Sequence, residues 1–386
     1  MRRIALFVVL ACLFAPAIAN AAEWYEKLKL KGDVRFRNEL IQQQDKKDDF
    51  RWRLRARLAV EAEINEAWSA AIGLASGSLD PVSTNQTLTT GFSRKSIMLD
   101  LAYVDFHPKQ APGLNMIAGK MKQPFETADK TQMLWDNDLT PEGIALKYKH
   151  KAGEKADVFM NAAGFYITDN NPDNEQWMSG GQAGFNVRPS EKMSMTVGAS
   201  YFDYHRVEGQ PGIYNPENFY GNSSVKTGTK VVTVKAGNTV VGKDTVDVYG
   251  YAADFNELEV LGVFDVKVND KVTLRLAGDY VNNGGADSLN TAYLFGGSLM
   301  YGKDQGSMRF SANYRKIEAD ALIGAFTYSD SWGGGTDGKG VELGFSYGLA
   351  KGASFDVTYL VNTKGVKTGD EGTDYNRFQA DFQVKF

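Results

Sequence analysis

The chain has 386 residues, 43% hydrophobic, 23% charged and 12% aromatic, with 40 glycines, 10 prolines and one cysteine. Its formal net charge of −4 leaves no basic surplus for a nucleic-acid partner. Abundant glycine and aromatics with little proline point to an all-β chain and exclude a disordered protein or a bundle of membrane helices.

The first element is a targeting segment. Arg2 and Arg3 precede the apolar run "IALFVVLACLFAPAIA", and small residues follow it. Residues 1–21 read as a signal peptide cleaved near 19–21, and 22–386 as a single domain. Cys12 lies inside the signal, so the exported chain has no disulfide framework and no thiolate metal site.

From residue 27 onward the recurring pattern is alternation with period two. In "KLKLKGDVRFR" Lys29, Lys31, Asp33, Arg35 and Arg37 share one face, and Leu28, Leu30, Val34 and Phe36 the other. In "FRWRLRARLAVEAEI" Arg51, Arg53, Arg55 and Arg57 alternate with Trp52, Leu54, Ala56 and Leu58. Sixteen segments of this kind are expected, near 27–38, 51–64, 67–77, 96–107, 113–122, 142–150, 155–166, 179–188, 193–205, 257–268, 272–282, 291–302, 307–317, 339–349, 353–363 and 375–386. Tight turns such as "NE", "VND" and "AKG" alternate with long loops at 78–95, 123–141, 206–256 and 318–338. Within 206–256, "VKTGTKVVTVKAGNTVVG" reads as a hairpin inside a loop, with two further barrel strands, 18 in all, as the alternative.

This rhythm predicts a transmembrane antiparallel up-and-down β-barrel with short periplasmic turns and long extracellular loops. Lipid cannot hydrogen-bond a backbone, so a sheet in a bilayer must close on itself. A charged side chain facing lipid at mid-membrane costs roughly 2–4 kcal/mol, so the arginine row must face the lumen. A secreted β-sandwich adhesin also alternates, but does not need the long/short loop rhythm.

The segments "AGKMKQPFE" (118–126), "LWDNDLTPEGIALKY" (134–148) and the terminal "FQADFQVKF" resemble Gram-negative outer-membrane porins, and within them a putative porin group related to phosphate- and polyphosphate-selective porins. The resemblance implies a water-filled channel for passive diffusion of inorganic ions and small hydrophilic solutes, without a cofactor and without a reaction. It also implies a homotrimer in contact with outer-membrane lipid and lipopolysaccharide, and assembly through the barrel-assembly machinery reading Phe386. In porins the third long loop narrows the lumen; here that loop is 123–141.

The expected pore-lining basic wall is Lys29, Lys31, Arg35, Arg37, Arg51, Arg53, Arg55 and Arg57, with Lys120 and Lys122 beside the loop entry. Confined water next to such a wall focuses its field and favours anions. The expected constriction-loop acids are Glu126, Asp129, Asp136 and Asp138, which oppose that preference; ion pairs with Asp33, Glu61, Glu63 or an infolded loop would leave the wall a structural face.

Other motifs carry less. Ser346 in "GFSYG" lies mid-strand, where a nucleophile elbow cannot form. His107, His150 and His205 lack ligand spacing, so no metal is expected. A barrel enzyme of the lipase or protease kind is the alternative function, but no Ser/His pair at one membrane level is legible. "DNNPDNE" (169–175) reads as a polar turn and "SWGGGTDGKG" (331–340) as a flexible loop tip. Tyr103, Tyr148, Tyr201, Tyr280, Tyr314 and Tyr347 are expected in interfacial girdles.

Overall fold

A computed structural model describes residues 25–386 apart from 130, 169–174, 237–238 and 368–371. The expected signal peptide with Cys12, and nearly all of "DNNPDNE", lie outside the described residues.

Among the described residues nineteen strands follow in chain order: β1 (Leu28–Gln43), β2 (Asp49–Asn65), β3 (Trp68–Ser76), β4 (Gln86–Thr87), β5 (Ile97–Phe106), β6 (Leu114–Lys120), β7 (Glu142–Lys151), β8 (Ala156–Thr168), β9 (Gln176–Ser190), β10 (Met193–His205), β11 (Ser224–Ala236), β12 (Thr239–Tyr251), β13 (Phe255–Lys267), β14 (Val272–Asn283), β15 (Thr291–Tyr301), β16 (Met308–Ile317), β17 (Gly338–Ala350), β18 (Ala353–Lys364) and β19 (Thr373–Lys385). Sixteen of them form a closed antiparallel barrel, β1 pairing with both β2 and β19. The terminal residue completes the seam: Gly32 N–H donates to Phe386 O at 2.9 Å, and Phe386 N–H donates back to Gly32 O at 3.0 Å. No edge is left for lipid to meet.

Period-two alternation is what makes these segments strands here. On β19 Phe378 and Phe382 are 37% and 57% exposed, while Arg377, Gln379 and Asp381 between them are 3%, 1% and 7% exposed. The apolar residues form the outer belt, and the polar ones line the lumen. Trp52, Phe36, Leu58 and Val60 stand in the same belt on β1 and β2. Tyr201, Tyr280 and Tyr347 are outward and exposed, as girdle residues should be. Tyr103 differs: it is half-buried and packs against the buried cluster inside the barrel.

The barrel has sixteen strands, not eighteen, because β11 and β12 pair only with each other, in a separate two-stranded sheet. The hairpin offers lipid no continuous apolar face: exposed Lys226, Lys230, Asp244 and Asp247 interrupt it.

At the long-loop end, L2 (77–96), L3 (121–141), L5 (206–254) and L7 (318–337) account for most of the non-strand chain. The wall is lowest where β3, β5, β6 and β7 span only 9, 10, 7 and 10 residues. L3 leaves the wall there, just after Gly119, whose φ of 123° only glycine adopts readily.

Candidate pore constriction

The arginine row takes its geometry from the β1–β2 register. Asp33 faces Arg57, Arg35 faces Arg55, Arg37 faces Arg53 and Glu39 faces Arg51. Like charges directly opposite one another are destabilising in a sheet, so acids must intervene. Asp33 accepts from Arg55 Nε at 2.8 Å and from Arg57 Nε at 2.7 Å. Asp381 on β19 takes Arg37 in a two-toothed grip at 2.7 and 2.8 Å. Glu39, fully buried, accepts from Arg51 and, at 2.9 Å, from Gln379.

Each infolded loop is tied to this row. L2 sends Asn85 to Arg35 at 2.5 Å and Ser83 to Arg53 at 3.2 Å, and β4 within it pairs with Arg53 and Leu54. L3 sends Asp138 to Arg57 at 3.0 Å and, more distantly, to Arg55 at 3.8 Å. L7 sends Asp330 between Arg37 at 2.9 Å and Arg377 of β19 at 2.5 Å. Burial alone would raise the Asp330 carboxyl, but Arg37 and Arg377 beside it hold it well below the usual carboxylate range. Around the row, Arg35, Arg37, Arg51, Arg53, Arg55, Arg57 and Arg377 meet Asp33, Glu39, Asp49, Asp138, Asp330 and Asp381 within ion-pair distance. The arginines are thus nearly neutralised in place.

L3 crosses the lumen. Its aromatic residues anchor it on the far wall: Phe125 and Trp135 pack on Phe202 of β10, with ring centroids 5.0 and 4.8 Å apart, and Trp135 Nε1 donates to Tyr204 Oη at 3.0 Å. Its acids diverge. Asp138 alone meets the arginine row; Asp129 accepts from Arg275 at 2.7 Å and from Arg309 at 2.6 Å, on β14 and β16. Asp136 accepts from Ser329 N and Oγ of L7, both at 2.9 Å, and burial beside Asp138 pushes its carboxyl up to about 7. Glu126 is exposed.

The expected lysines separate as well. Lys29 and Lys31, near the short-turn mouth, pair with Glu63 at 2.5 Å and Glu61 at 2.6 Å. Lys120 donates to Thr140 O at 2.8 Å and Glu142 at 3.0 Å, bracing the root of L3. Lys122 is exposed, and among the described residues it makes no ion pair. A cavity of about 440 Å³ on this side of L3 is lined by Lys31, Arg57, Lys122 and Lys385 together with Asp33, Asp100 and Asp138.

L7 overturns one expectation. Residues 331–340 are not a flexible tip: Ser331 and Trp332 are each 2% exposed. Gly333, Gly334 and Gly335, with φ of 91°, 91° and 92°, curl the chain so that Trp332 Nε1 donates to Gly335 O at 3.0 Å. Upstream, Ala321, Leu322, Ile323 and Ala325 are buried, and Asn222 of L5 donates to Ala319 O and Leu322 O at 2.6 and 2.7 Å. The signal was present in "ALIGAF" (321–326), an apolar run that a solvent-exposed loop has no use for. Asp330, Arg377, Asp381 and Arg309 also escaped the sequence reading, since each acts through a partner distant in the chain; so did Arg275, which joins Asp129 of L3 as well as Asp265 across its own hairpin.

A Ser/His pair does form, contrary to expectation. Ser179 Oγ lies 3.2 Å from His205 Nε2 on the outer face, because β9 and β10 place Ser179 opposite Asp203. Asp203 lies 3.4 Å from the same Nε2, so the ring cannot relay a proton from serine to carboxylate as a triad does. Ser346 sits mid-strand in β17, opposite Arg309.

The family model described as "Putative porin" matches residues 41–386. No curated protein sequence matches the chain. Among solved structures it is similar to OprB of Pseudomonas putida, at 10% identity over 95% of this chain and 96% of that one, TM-score 0.59. It is also similar to OmpF of Salmonella typhi in complex with daunomycin, at 13% identity over 93% and 97%, TM-score 0.54. The outer membrane channel DcaP of Acinetobacter baumannii is similar at 13% identity over 93% and 97%, TM-score 0.50. At such identities the structural likeness is one of fold, while the sequence match spans nearly the whole barrel. The chain belongs to the putative porin family and forms an outer-membrane channel for passive diffusion.

Proposed function

We propose that the channel passes small hydrophilic solutes with a mild preference for anions, and that residues 123–141 are its constriction. The observation that carries this is the near-balance at the arginine row: seven guanidinium groups against six carboxylates. A row of bare arginines would select strongly; a neutralised one leaves a weak positive field in confined water. Lys122, exposed at the root of L3, adds to that field on the aqueous side.

In a KCl gradient the reversal potential should lie slightly toward the anion side, and Lys122→Glu should move it toward cations without changing conductance much. A cation-selective wild type would overturn the reading, and added phosphate or organic anions would show whether any anion is held longer than chloride.

The low wall at β3, β5, β6 and β7 leaves a flank that a neighbouring copy could cover. OmpT of Vibrio cholerae, similar at 14% identity and TM-score 0.50, is described in a trimer form. We therefore read this chain as a homotrimer, with Phe386 as its signal to the assembly machinery and the outer belt in contact with lipid and lipopolysaccharide. Cross-linking in native membranes would show a trimer; a monomer alone would contradict it.

A further inference from the structure

Halfway round the ring from the arginine row stand three carboxylates that, among the described residues, form no ion pair. Glu257 and Glu259 on β13 and Asp279 on β14 are 1%, 4% and 6% exposed. Leu261 faces Asp279 and Glu259 faces Val281, so Glu259 and Asp279 are diagonal neighbours. Both line a cavity of about 20 Å³ closed by Phe125 and Trp135 of L3 and Phe202 of β10. Asp279 Oδ1 is buried there without a hydrogen-bond partner.

Among the described residues no cation pairs with these acids; Arg315 of β16, beyond Leu294, is held by Glu342. L3 contributes Glu126, another acid. On β14 the nearest cation along the same face is Arg275, already held by Asp265 and Asp129. L7 contributes Asp320, which accepts from Ser223 N–H, and β10 contributes Ser200 and Tyr204. β9 contributes the neutral Gln182, and β15 places Leu294 opposite Asp279.

Two of the acids are wired to the infolded loops. Glu126 N–H donates to Gln182 Oε1 at 2.7 Å, and Gln182 Nε2 donates to Glu126 O at 2.9 Å and to Ser200 Oγ at 3.0 Å. Ser200 in turn donates to Glu259, so the L3 backbone is joined to that carboxyl through two side chains. Ile323 N–H of L7 donates to Glu257 at 3.2 Å.

Three neighbouring carboxylates this deeply buried beneath L3 and L7 cannot all be charged without water or a cation. As neutral acids they fit, and a protonated Asp279 needs no counter-ion. We propose that Glu257, Glu259 and Asp279 bind protons together, and that this proton site is the latch holding L3 and L7 inside the barrel. When the protons leave, the charged groups draw in water, the aromatic cover of L3 lifts and the passage widens. The channel is therefore narrow in acid and wide in alkali; the effect on conductance, though not the latch itself, rests on L3 being the constriction.

The test uses two readouts between about pH 5 and about pH 9. Ala128 of L3 is fully buried, and Ala128→Cys would give the exported chain its only thiol. Its modification by a membrane-impermeant thiol reagent should rise with pH in the wild-type background. The rise should exceed that in a Glu257→Gln, Glu259→Gln, Asp279→Asn background, which carries the same thiol chemistry. Because several protons leave together, the open-to-closed ratio should change by more than about tenfold per pH unit. Equal rates in the two backgrounds would overturn the latch, as would a response to sodium or calcium at fixed pH in place of one to protons. If the triple variant does not assemble, Glu259→Gln alone serves, with a shallower slope expected and an unchanged slope contradicting the proposal. Single-channel conductance is the second readout. Accessibility that changes with pH while conductance stays flat would leave the latch standing and refute the constriction instead.

Discussion

At the scale of single residues, charge is placed so that few groups stand alone. Asp33 serves two arginines, and Asp330 bridges two strands from a loop. Removing one member of such a buried pair is costlier than the pair is worth, since the survivor keeps its charge without its partner. Asp136 is the opposite case. Its folded-state carboxyl is raised by burial and by Asp138 to about 7, against an unfolded value of 3.8. A carboxyl raised on folding stabilises the fold fully below the unfolded value, and that stability is lost as pH climbs toward the folded one. The contact of L3 with L7 should therefore weaken from about pH 4 to about pH 7. Asp136→Asn should raise the thermal unfolding midpoint near neutral pH relative to wild type and leave it little changed in acid. A variant that keeps the wild-type pH slope would show that Asp136 is not the group that titrates.

At the scale of elements, strands and loops obey different logic. A barrel strand is legible because its period-two pattern is local: the eleven residues of "NRFQADFQVKF" already separate a lipid face from a wet one. The sixteen expected segments correspond to the barrel strands for that reason, whereas the adjacent Val231 and Val232 break the alternation in the separate hairpin. Loop packing is not local. That Asp138 would reach Arg57 while Asp129 turned to Arg275 and Arg309 depends on where L3 crosses the lumen. The crossing is set by Phe125 and Trp135 finding Phe202. Trp135→Ala removes that anchor and leaves Tyr204 Oη without its donor, at a cost of about 3–5 kcal/mol to the packed loop. Single-channel conductance should rise in this variant, with larger current fluctuations. Wild-type conductance would mean that L3 is held by its ion pairs alone.

At the scale of the whole molecule, the barrel is a rigid ring and its function lies in what the ring holds. Around one half of the lumen, arginines and acids clamp L2, L3 and L7; around the other, Asp129 ties L3 to Arg275 and Arg309, and aromatics and the uncharged partners of buried acids cover the rest of the wall. The row in "FRWRLRARLAVEAEI" was legible as a lumen face from its spacing, but not as an anchor, because its acids, Asp33 and Glu39 of β1 and Asp138 of L3, reach it only through the β1–β2 register and the path of L3. The most direct test is single-channel recording of an Asp138→Asn, Asp330→Asn double variant in a KCl gradient. If the arginine row holds the loops that narrow the channel, conductance and anion preference should rise together, as the passage widens and Arg37, Arg57 and Arg377 each lose one acidic partner. A rise in anion preference at unchanged conductance would contradict the account, since the row would then set selectivity without anchoring anything.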